Sequence, residues 1–180
     1  MVKRTYNRGF TLLEVLVVAA IIGILSAVIY ANFSGVRSGA QNDQLRTELK
    51  QVQLALELYK AQNGTYPIDC SVMTCPPSGQ VGTITGNCAN GRDYLPGLAP
   101  NFIEELPDAC DFNPGCYFLY QVDKNGGSFY KLTAKNCVQD HTMDPNDELA
   151  MCPAFCGGTG DCSFDFNTSM AVYNKGWECH

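Results

Sequence analysis

One carboxylate stands almost alone in a long apolar stretch near the start of the chain. Between Phe10 and Ala31, Glu14 is the only formally charged residue. An ionisable side chain inside an apolar segment of membrane-spanning length is costly, so it is a functional candidate whose partner must be identified. The alternative is a carboxylate at the lipid headgroup level with no role. Glu14 is therefore the first candidate for chemistry, namely pairing with a positive group.

Ten cysteines, all beyond the apolar stretch, could form disulfides or bind a metal. An even number of cysteines in an exported segment indicates disulfides made in an oxidising compartment. Structural zinc sites usually begin with closely spaced ligand pairs, and this chain contains no C-x2-C pair. We therefore predict disulfides, without assigning their pairing, because ten cysteines allow hundreds of pairings. The residues are Cys70, Cys75, Cys88, Cys110, Cys116, Cys137, Cys152, Cys156, Cys162 and Cys179.

Four acidic residues close together form a second candidate site. Asp140, Asp144, Asp147 and Glu148 lie in one short segment, and carboxylate oxygens are ligands that Ca²⁺ prefers. Their spacing does not match an EF-hand loop. The favoured interpretation is a solvated acidic loop, so no metal is predicted and calcium remains an alternative.

Residues typical of catalysis are scarce. The histidines are His141 and His180, no glycine-rich phosphate loop precedes a helix, and no serine lies in a nucleophile-elbow pattern. The net charge of −6 argues against broad binding of nucleic acid, which needs clustered lysine and arginine. We expect neither an enzyme nor a cofactor, and no nucleic acid partner.

The apolar stretch predicts a membrane-spanning helix over residues 10–31. That length is about 33 Å as a helix, against a bilayer core of about 30 Å. Lys3, Arg4 and Arg8 precede it, and positive residues beside a first span stay cytoplasmic, so the C-terminal part should face outward. A secretory signal peptide would lose its apolar run on cleavage, whereas here the small residue Gly9 comes before that run.

An amphipathic helix is predicted to continue over residues 32–63. Its apolar residues are spaced four, three, four and three apart, which places them on one face. Asn63–Gly64 is a typical helix end. The face is expected to pack on a sheet, with a short coiled coil as the alternative. It consists of Leu45, Leu49, Val52, Leu56 and Tyr59.

Residues 64–180 predict a cysteine-rich β domain. Cys116–Val122 and Ser128–Lys135 are rich in aromatic and β-branched residues and flank a glycine-containing turn, which is a hairpin pattern. Ser163–Asn167 and Met170–Tyr173 are predicted as one or two further strands. The predicted fold class is α+β: a long N-terminal helix packed on a small antiparallel sheet of three to four strands, with loops stapled by disulfides.

The junction between the basic leader and the apolar run resembles the start of type IV pilins and type II secretion pseudopilins. The matching residues are Gly9-Phe10-Thr11-Leu12-Leu13-Glu14, followed by the apolar run to Tyr30. The resemblance implies that a prepilin peptidase removes the leader, residues 1–9, by cutting between Gly9 and Phe10, and that the new Phe10 amine is methylated. It also implies a helical filament whose core is a bundle of N-terminal helices. There the Phe10 amine of one subunit could pair with Glu14 of a neighbour and offset the cost of burying each charge.

The resemblance indicates a structural subunit, with three interpretations left open. The first and main interpretation is a subunit of an extracellular type IV pilus, and the second, its alternative, is a pseudopilin of a type II secretion system. The third is an adhesin or binding module that uses a pilin-like anchor, which an exposed apolar or basic groove would mark. The implied partners are further copies and related pilins in the filament, the prepilin peptidase and an inner-membrane assembly platform. The chain would span the inner membrane once before assembly and lie in a periplasmic or cell-surface filament afterwards.

Overall fold

The computed structural model describes most of the chain beyond the leader. The described residues are 10–69, 73, 81–87, 93–123, 127–139, 143–151 and 168–174, without the side chains of 31–34 and 81–83. The chain divides into two compact units, Met1–Arg37 and Ser38–His180, which are treated separately below. The domain boundaries expected from the sequence (1–9, 10–31, 32–63 and 64–180) stay predictions.

The long helix α1 extends over Leu12–Asn63. Its end confirms the prediction from Asn63–Gly64: Gly64 adopts a φ of +80°, which favours glycine, and its N–H donates to the Lys60 carbonyl at 2.7 Å. The Asn63 side chain donates to the Tyr59 carbonyl at 2.9 Å. The last carbonyls of the helix therefore find partners at the point where the chain leaves the helical path.

Four antiparallel strands form one sheet in the order β1-β2-β3-β4. The predicted hairpin is confirmed as β2 and β3, with Tyr120 opposite Leu132, and the predicted strand at Met170–Tyr173 is β4. The proposed strand at Ser163–Asn167 lies outside the described residues. The strands are β1 Val81–Asn87, β2 Tyr117–Asp123, β3 Tyr130–Lys135 and β4 Met170–Tyr173, and a short 3-10 helix covers Ala109–Asp111.

Strand β1 was not predicted, and its composition explains why. The sequence Val-Gly-Thr-Ile-Thr-Gly-Asn contains two glycines, which ordinarily weaken a strand. Gly86 has a packing reason: a Cβ atom there would clash with the ring of Tyr94, which stacks on Phe118 of β2 with ring centroids 5.1 Å apart. The close approach of an aromatic ring therefore selects glycine at this edge strand.

The apolar stripe of α1 packs on the sheet, as predicted. Four of its members are completely buried, and Tyr59 is partly buried beside them. Burial of one leucine or valine side chain stabilises a fold by about 1.5–3 kcal/mol, so this face is a main source of stability. The buried members are Leu45, Leu49, Val52 and Leu56, in one cluster with Phe118, Tyr120, Val122, Tyr130, Leu132 and Ala134 of the sheet.

Tyrosine hydroxyls connect this core to the irregular segments. Tyr120 donates to the Pro67 carbonyl at 3.0 Å, and Tyr94 donates to the Pro107 carbonyl at 3.2 Å. Tyr66 donates to the Glu57 carboxylate at 2.8 Å, and its ring meets that of Tyr130 at 4.4 Å. Burial of the ring is the main cause that raises the pKa of Tyr66, with the Glu57 hydrogen bond adding to it. These contacts hold loops that contain little regular structure.

Candidate assembly site and acidic loop

Helix α1 begins at Leu12, directly after Phe10 and Thr11, and Glu14 lies in its first turn. Phe10 is 82% exposed. The Glu14 N–H lies 3.1 Å from the Thr11 carbonyl oxygen and 3.2 Å from Thr11 Oγ1, so Thr11 caps the helix. Glu14 lies in the first turn, where a carboxylate is favoured by the helix dipole. Gly9 and the rest of the predicted leader lie outside the described residues.

The capping role of Thr11 was not predicted from the sequence. The spacing Thr11-x-x-Glu14 matches the capping-box pattern of a threonine followed three residues later by glutamate, just before an apolar run. That pattern could have fixed the helix start from sequence alone. It also fixes where Glu14 sits relative to the predicted new N-terminus, because only Phe10 and Thr11 precede the helix.

The apolar surface of the first unit is uncovered. Leu12–Tyr30 is long and apolar enough to cross a membrane by length and composition, with a mean hydropathy of 2.8 and no buried residues. Leu12 is 82% exposed and Leu25 is 57% exposed. An exposed apolar surface of this extent requires a membrane or other chains to cover it.

Two of the predicted disulfide cysteines are joined in the structure. Cys116 precedes β2 and Cys137 follows β3, and their disulfide spans a Cα–Cα distance of 4.5 Å. The bridge therefore closes the open end of the hairpin. Cys110 is also disulfide-bonded. The remaining cysteines, which lie outside the described residues, are Cys70, Cys75, Cys88, Cys152, Cys156, Cys162 and Cys179.

The acidic segment that was considered for calcium faces basic residues of α1. Asp147 receives two hydrogen bonds from the Arg46 guanidinium, at 2.9 and 2.8 Å. Glu148 contacts the Lys50 ammonium. The hydrogen bond from Arg46 is the main cause that lowers the pKa of Asp147, against the opposing effect of partial burial. Two of the candidate ligands are thus neutralised by the chain's own cations.

Of the other two candidate calcium ligands, Asp144 and Asp140, the structure describes only Asp144. Asp144 Oδ1 accepts hydrogen bonds from the backbone and side-chain nitrogens of Asn146, at 2.8 and 3.0 Å, and so closes a turn. Asp140 lies outside the described residues. Within the part of the chain that the structure describes, three potential metal ligands nowhere come together. Calcium binding stays an untested alternative.

Asn42 extends this helix-to-loop contact by one turn. Its amide nitrogen donates to the Gln139 carbonyl and its amide oxygen accepts from the Gln139 N–H, both at 2.9 Å. With the residue 8% exposed, the reciprocal pair is nearly shielded from water. We call the contacts of Asn42, Arg46 and Lys50 with Gln139, Asp147 and Glu148 the helix–loop seam. The spacing of four along α1 was visible in the sequence, but the partners about a hundred residues away were not.

Two cavities bear on the binding-module interpretation, and both lie in the unit Ser38–His180, which we call the ectodomain because the sequence predicts that it faces outward. One of about 380 Å³ lies between α1 and the segment after β3, and one of about 180 Å³ lies beside the 3-10 helix. Among the residues that line them, Arg46 is the single base and it is paired with Asp147. Neither cavity is therefore the basic groove that would mark an adhesin.

Comparison with known proteins shows what the N-terminal part of the chain resembles. The family described as "Prokaryotic N-terminal methylation motif" matches residues 4–30. Type II secretion system core protein G of Klebsiella michiganensis is 37% identical over 65 residues, which cover 36% of this chain and 46% of that protein. Core protein G of Vibrio cholerae is 39% identical over 67 residues, covering 37% and 46%. Type IV major pilin protein PilA of Myxococcus xanthus is 37% identical over 60 residues, covering 33% and 27%.

These findings support a relation of the chain, through its N-terminal third or so, to the type IV pilin and pseudopilin superfamily. The chain spans less than half the length of the curated relatives it matches. Within the superfamily, core proteins G predominate among the relatives, so the similarity favours the second predicted interpretation, a pseudopilin, over the first, a pilus subunit. No solved structure is significantly similar to the chain.

Proposed function

We propose that the chain is a structural subunit of a type II secretion pseudopilus. The observation that carries the proposal is the match of residues 4–30 to the methylation motif, together with the similarity of about a third of the chain to core proteins G. The exposed apolar surface of Leu12–Tyr30 supports it, because such a surface must be covered first by a membrane and then by other subunits. The motif and the apolar helix indicate membrane anchoring before assembly.

Processing creates the chemistry at the N-terminus. Cleavage between Gly9 and Phe10 by a prepilin peptidase releases an α-amine, which methylation leaves positively charged. The amine then lies two residues before the helix that Thr11 caps. Phe10 and Glu14 are both exposed in the single chain, so each is accessible to a neighbouring copy. Pairing between the Phe10 amine of one subunit and Glu14 of another removes two uncompensated charges from an apolar filament core.

The membrane and the assembly platform set the direction of this process. The basic leader holds the N-terminus on the cytoplasmic side, which places the ectodomain in the periplasm. There the disulfide between Cys116 and Cys137 forms in an oxidising compartment. The inner-membrane platform then supplies subunits, and related pseudopilins join the same filament. The ectodomain serves as a stable scaffold, and no catalytic role is proposed for it.

A subunit of a type IV pilus is the second candidate, and the similarity to the Myxococcus xanthus pilin is the observation that favours it. Deletion of the gene, with complementation by the wild-type chain, separates the two. Loss of protein secretion across the outer membrane, with surface pili intact, supports the pseudopilin. Loss of surface pili with secretion intact supports the pilus subunit. A deletion strain normal in both would contradict the superfamily role itself.

A further inference from the structure

The smaller of the two cavities, of about 180 Å³, is lined by four carboxylates, and none of the described residues that line it is basic. Glu48 belongs to α1, whereas Glu105, Asp108 and Asp111 belong to the segment that leads into the 3-10 helix and to that helix itself. From Asp93 to Asp111 the chain contains five acidic residues and no lysine or arginine. We call this site the acidic cavity, and its charge favours a cationic ligand.

One carboxylate oxygen at the acidic cavity lacks a hydrogen-bond donor. Glu48 Oε1 accepts a hydrogen bond from the Gln44 amide at 2.7 Å. Glu48 Oε2 is shielded from water and accepts none from the part of the chain that the structure describes. A buried carboxylate oxygen without a donor is costly, because it has given up its hydration without gaining a hydrogen bond. A ligand that brings an N–H group to Glu48 would supply the missing bond.

The carboxylates of the acidic cavity do not converge on a single point. Across the described ranges, three acidic, histidine or cysteine side chains nowhere come together as ligands of one metal ion. Ca²⁺, by comparison, needs about six to eight oxygens at roughly 2.3–2.6 Å. An organic cation with several separated N–H donors can instead reach carboxylates that lie apart. The arrangement therefore favours an extended organic cation over a metal ion.

The apolar part of the lining distinguishes among organic cations. Leu106 and Pro107 are buried and Ile103 is partly buried, whereas the acidic residues Glu105 and Asp111 are exposed. An arginine side chain matches this lining, because its methylene stem covers apolar surface while its head group keeps polar contacts. The guanidinium carries five N–H donors in a planar fork that pairs with carboxylates, whereas the lysine ammonium is a compact point charge. The acidic cavity therefore fits a guanidinium best.

The size and the charge of the acidic cavity favour an arginine that belongs to a polypeptide. Pockets for drug-sized ligands are typically about 300–1,000 Å³, so a cavity of about 180 Å³ holds a side-chain head group with part of its stem. A free arginine would also bring its α-carboxylate close to the exposed Glu105 and Asp111, and like charges repel. In a polypeptide that carboxylate is part of an amide, so this repulsion is absent.

We propose that the acidic cavity binds an arginine side chain presented by a partner protein, with Glu48 as the buried acceptor. The bound guanidinium donates to Glu48 Oε2, and the exposed carboxylates Glu105 and Asp111 attract the basic partner as it approaches. The cavity lies within the ectodomain, so the inference goes beyond the proposed pseudopilin function and does not depend on it.

The test measures the binding of a blocked arginine to the purified full chain in detergent micelles. The probe is N-acetyl-arginine amide, and its control is N-acetyl-citrulline amide, which has a similar shape and no charge. We expect the arginine probe to shift the NMR amide signals of residues that line the cavity, among them Leu106, in a saturable way. The citrulline probe should bind at least about tenfold more weakly, because it cannot form charge-assisted hydrogen bonds. Free arginine should also bind more weakly than the blocked form.

Variants of single carboxylates assign the binding to the acidic cavity. Glu48→Gln should weaken binding of the arginine probe at least about tenfold, because the buried acceptor loses its charge. Glu105→Gln, at an exposed position, should weaken it about twofold to fivefold, and it keeps the proposal testable if Glu48→Gln does not fold. The control Glu104→Gln changes an exposed carboxylate that does not line the cavity, and affinity should stay within about twofold of wild type.

Three results would overturn the inference. The first is equal affinity for the arginine and citrulline probes, which would show that the charge is not recognised. The second is unchanged affinity in the folded Glu48→Gln variant, or in Glu105→Gln where the former does not fold. The third is tighter binding of free arginine than of the blocked form, which would contradict a polypeptide as the source of the guanidinium.

Discussion

The two parts of helix α1 carry similar apolar residues but depend on different surroundings. In Leu12–Tyr30 the apolar residues lie all around the helix and are exposed. In the ectodomain they form one face, with Leu45 and Leu49 completely buried against the sheet. The comparison shows that the first part must obtain its stability from a membrane or from other chains, whereas the second obtains it within its own subunit. The fold of the subunit therefore depends on the second stretch of the helix, whereas the first stretch contributes no buried residue to it.

The largest expected effect on stability comes from the buried face. Leu49→Ala should lower the free energy of unfolding of the ectodomain by about 2–5 kcal/mol, because it leaves a cavity in the core. Leu25→Ala, the same substitution where the side chain is 57% exposed, should change it by less than about 0.5 kcal/mol. Urea unfolding of the full chain in detergent measures both. Equal losses would contradict the division between the two parts.

Loss of the hairpin disulfide should have the second largest effect on the free energy of unfolding. Cys116→Ser/Cys137→Ser opens a loop with a sequence separation of 21, for which loop entropy predicts a loss of roughly 3 kcal/mol. The free energy of unfolding of the variant is compared with that of the wild-type chain in the same experiment, with both proteins kept under oxidising conditions. A loss below about 1 kcal/mol would show that the strand pairing alone closes the hairpin.

The remaining cysteines are predicted to be oxidised as well. Alkylation under denaturing conditions, followed by peptide mass mapping, should find no more than two free thiols and an oxidised Cys179. A bridge to Cys179 would tie down the end of the chain. Four or more alkylated cysteines together with bound zinc would replace the disulfide account with a metal site.

Smaller effects are expected from single polar contacts of the ectodomain. Tyr120→Phe removes the hydroxyl that donates to Pro67, and should cost about 1 kcal/mol. The control Tyr117→Phe, on the half-buried side of the same strand, should cost less than about 0.5 kcal/mol. If both variants have the same midpoint of denaturant unfolding as the wild-type chain, the Tyr120 hydroxyl does not stabilise the segment that contains Pro67.

The smallest effect belongs to the helix–loop seam. Arg46→Gln should cost no more than about 1 kcal/mol at neutral pH, because both partners remain partly exposed. The pKa of Asp147 is lowered from its ordinary 3.8 in the folded state, so its contribution is present above that value. The difference between wild type and variant should therefore shrink as the pH falls below about 4. A difference that grows on acidification would contradict the ion pair.

Local patterns predicted the helix and the hairpin, and distant contacts decided the rest. The stop at Asn63–Gly64 and the stripe beginning at Leu45 depend on neighbours along the chain, which the sequence displays directly. Strand β1 was not predicted, because glycine is unfavourable in strands and Gly86 is there to make room for the Tyr94 ring. That tertiary contact overrides strand propensity and is not visible in the sequence. The pairing of Arg46 with Asp147 was not predicted either, because the two residues are 101 positions apart in the sequence. At the assembly site, Glu14 was recognised by its isolation in an apolar run, and Thr11 could have been recognised by the capping pattern.

Filament assembly by Glu14→Ala, expressed as the sole copy of the chain, tests the central claim most directly. The variant should be cleaved after Gly9, methylated at Phe10 and retained in the membrane, since removal of a carboxylate favours membrane residence. Mass spectrometry of the N-terminus checks that processing, and Glu104→Ala, at an exposed site of the ectodomain, is the control. We predict that protein secretion across the outer membrane and crosslinked oligomers of the subunit are lost from Glu14→Ala and retained in Glu104→Ala. Normal secretion and normal crosslinked oligomers from Glu14→Ala would contradict the pairing of Glu14 with the Phe10 amine of a neighbouring subunit.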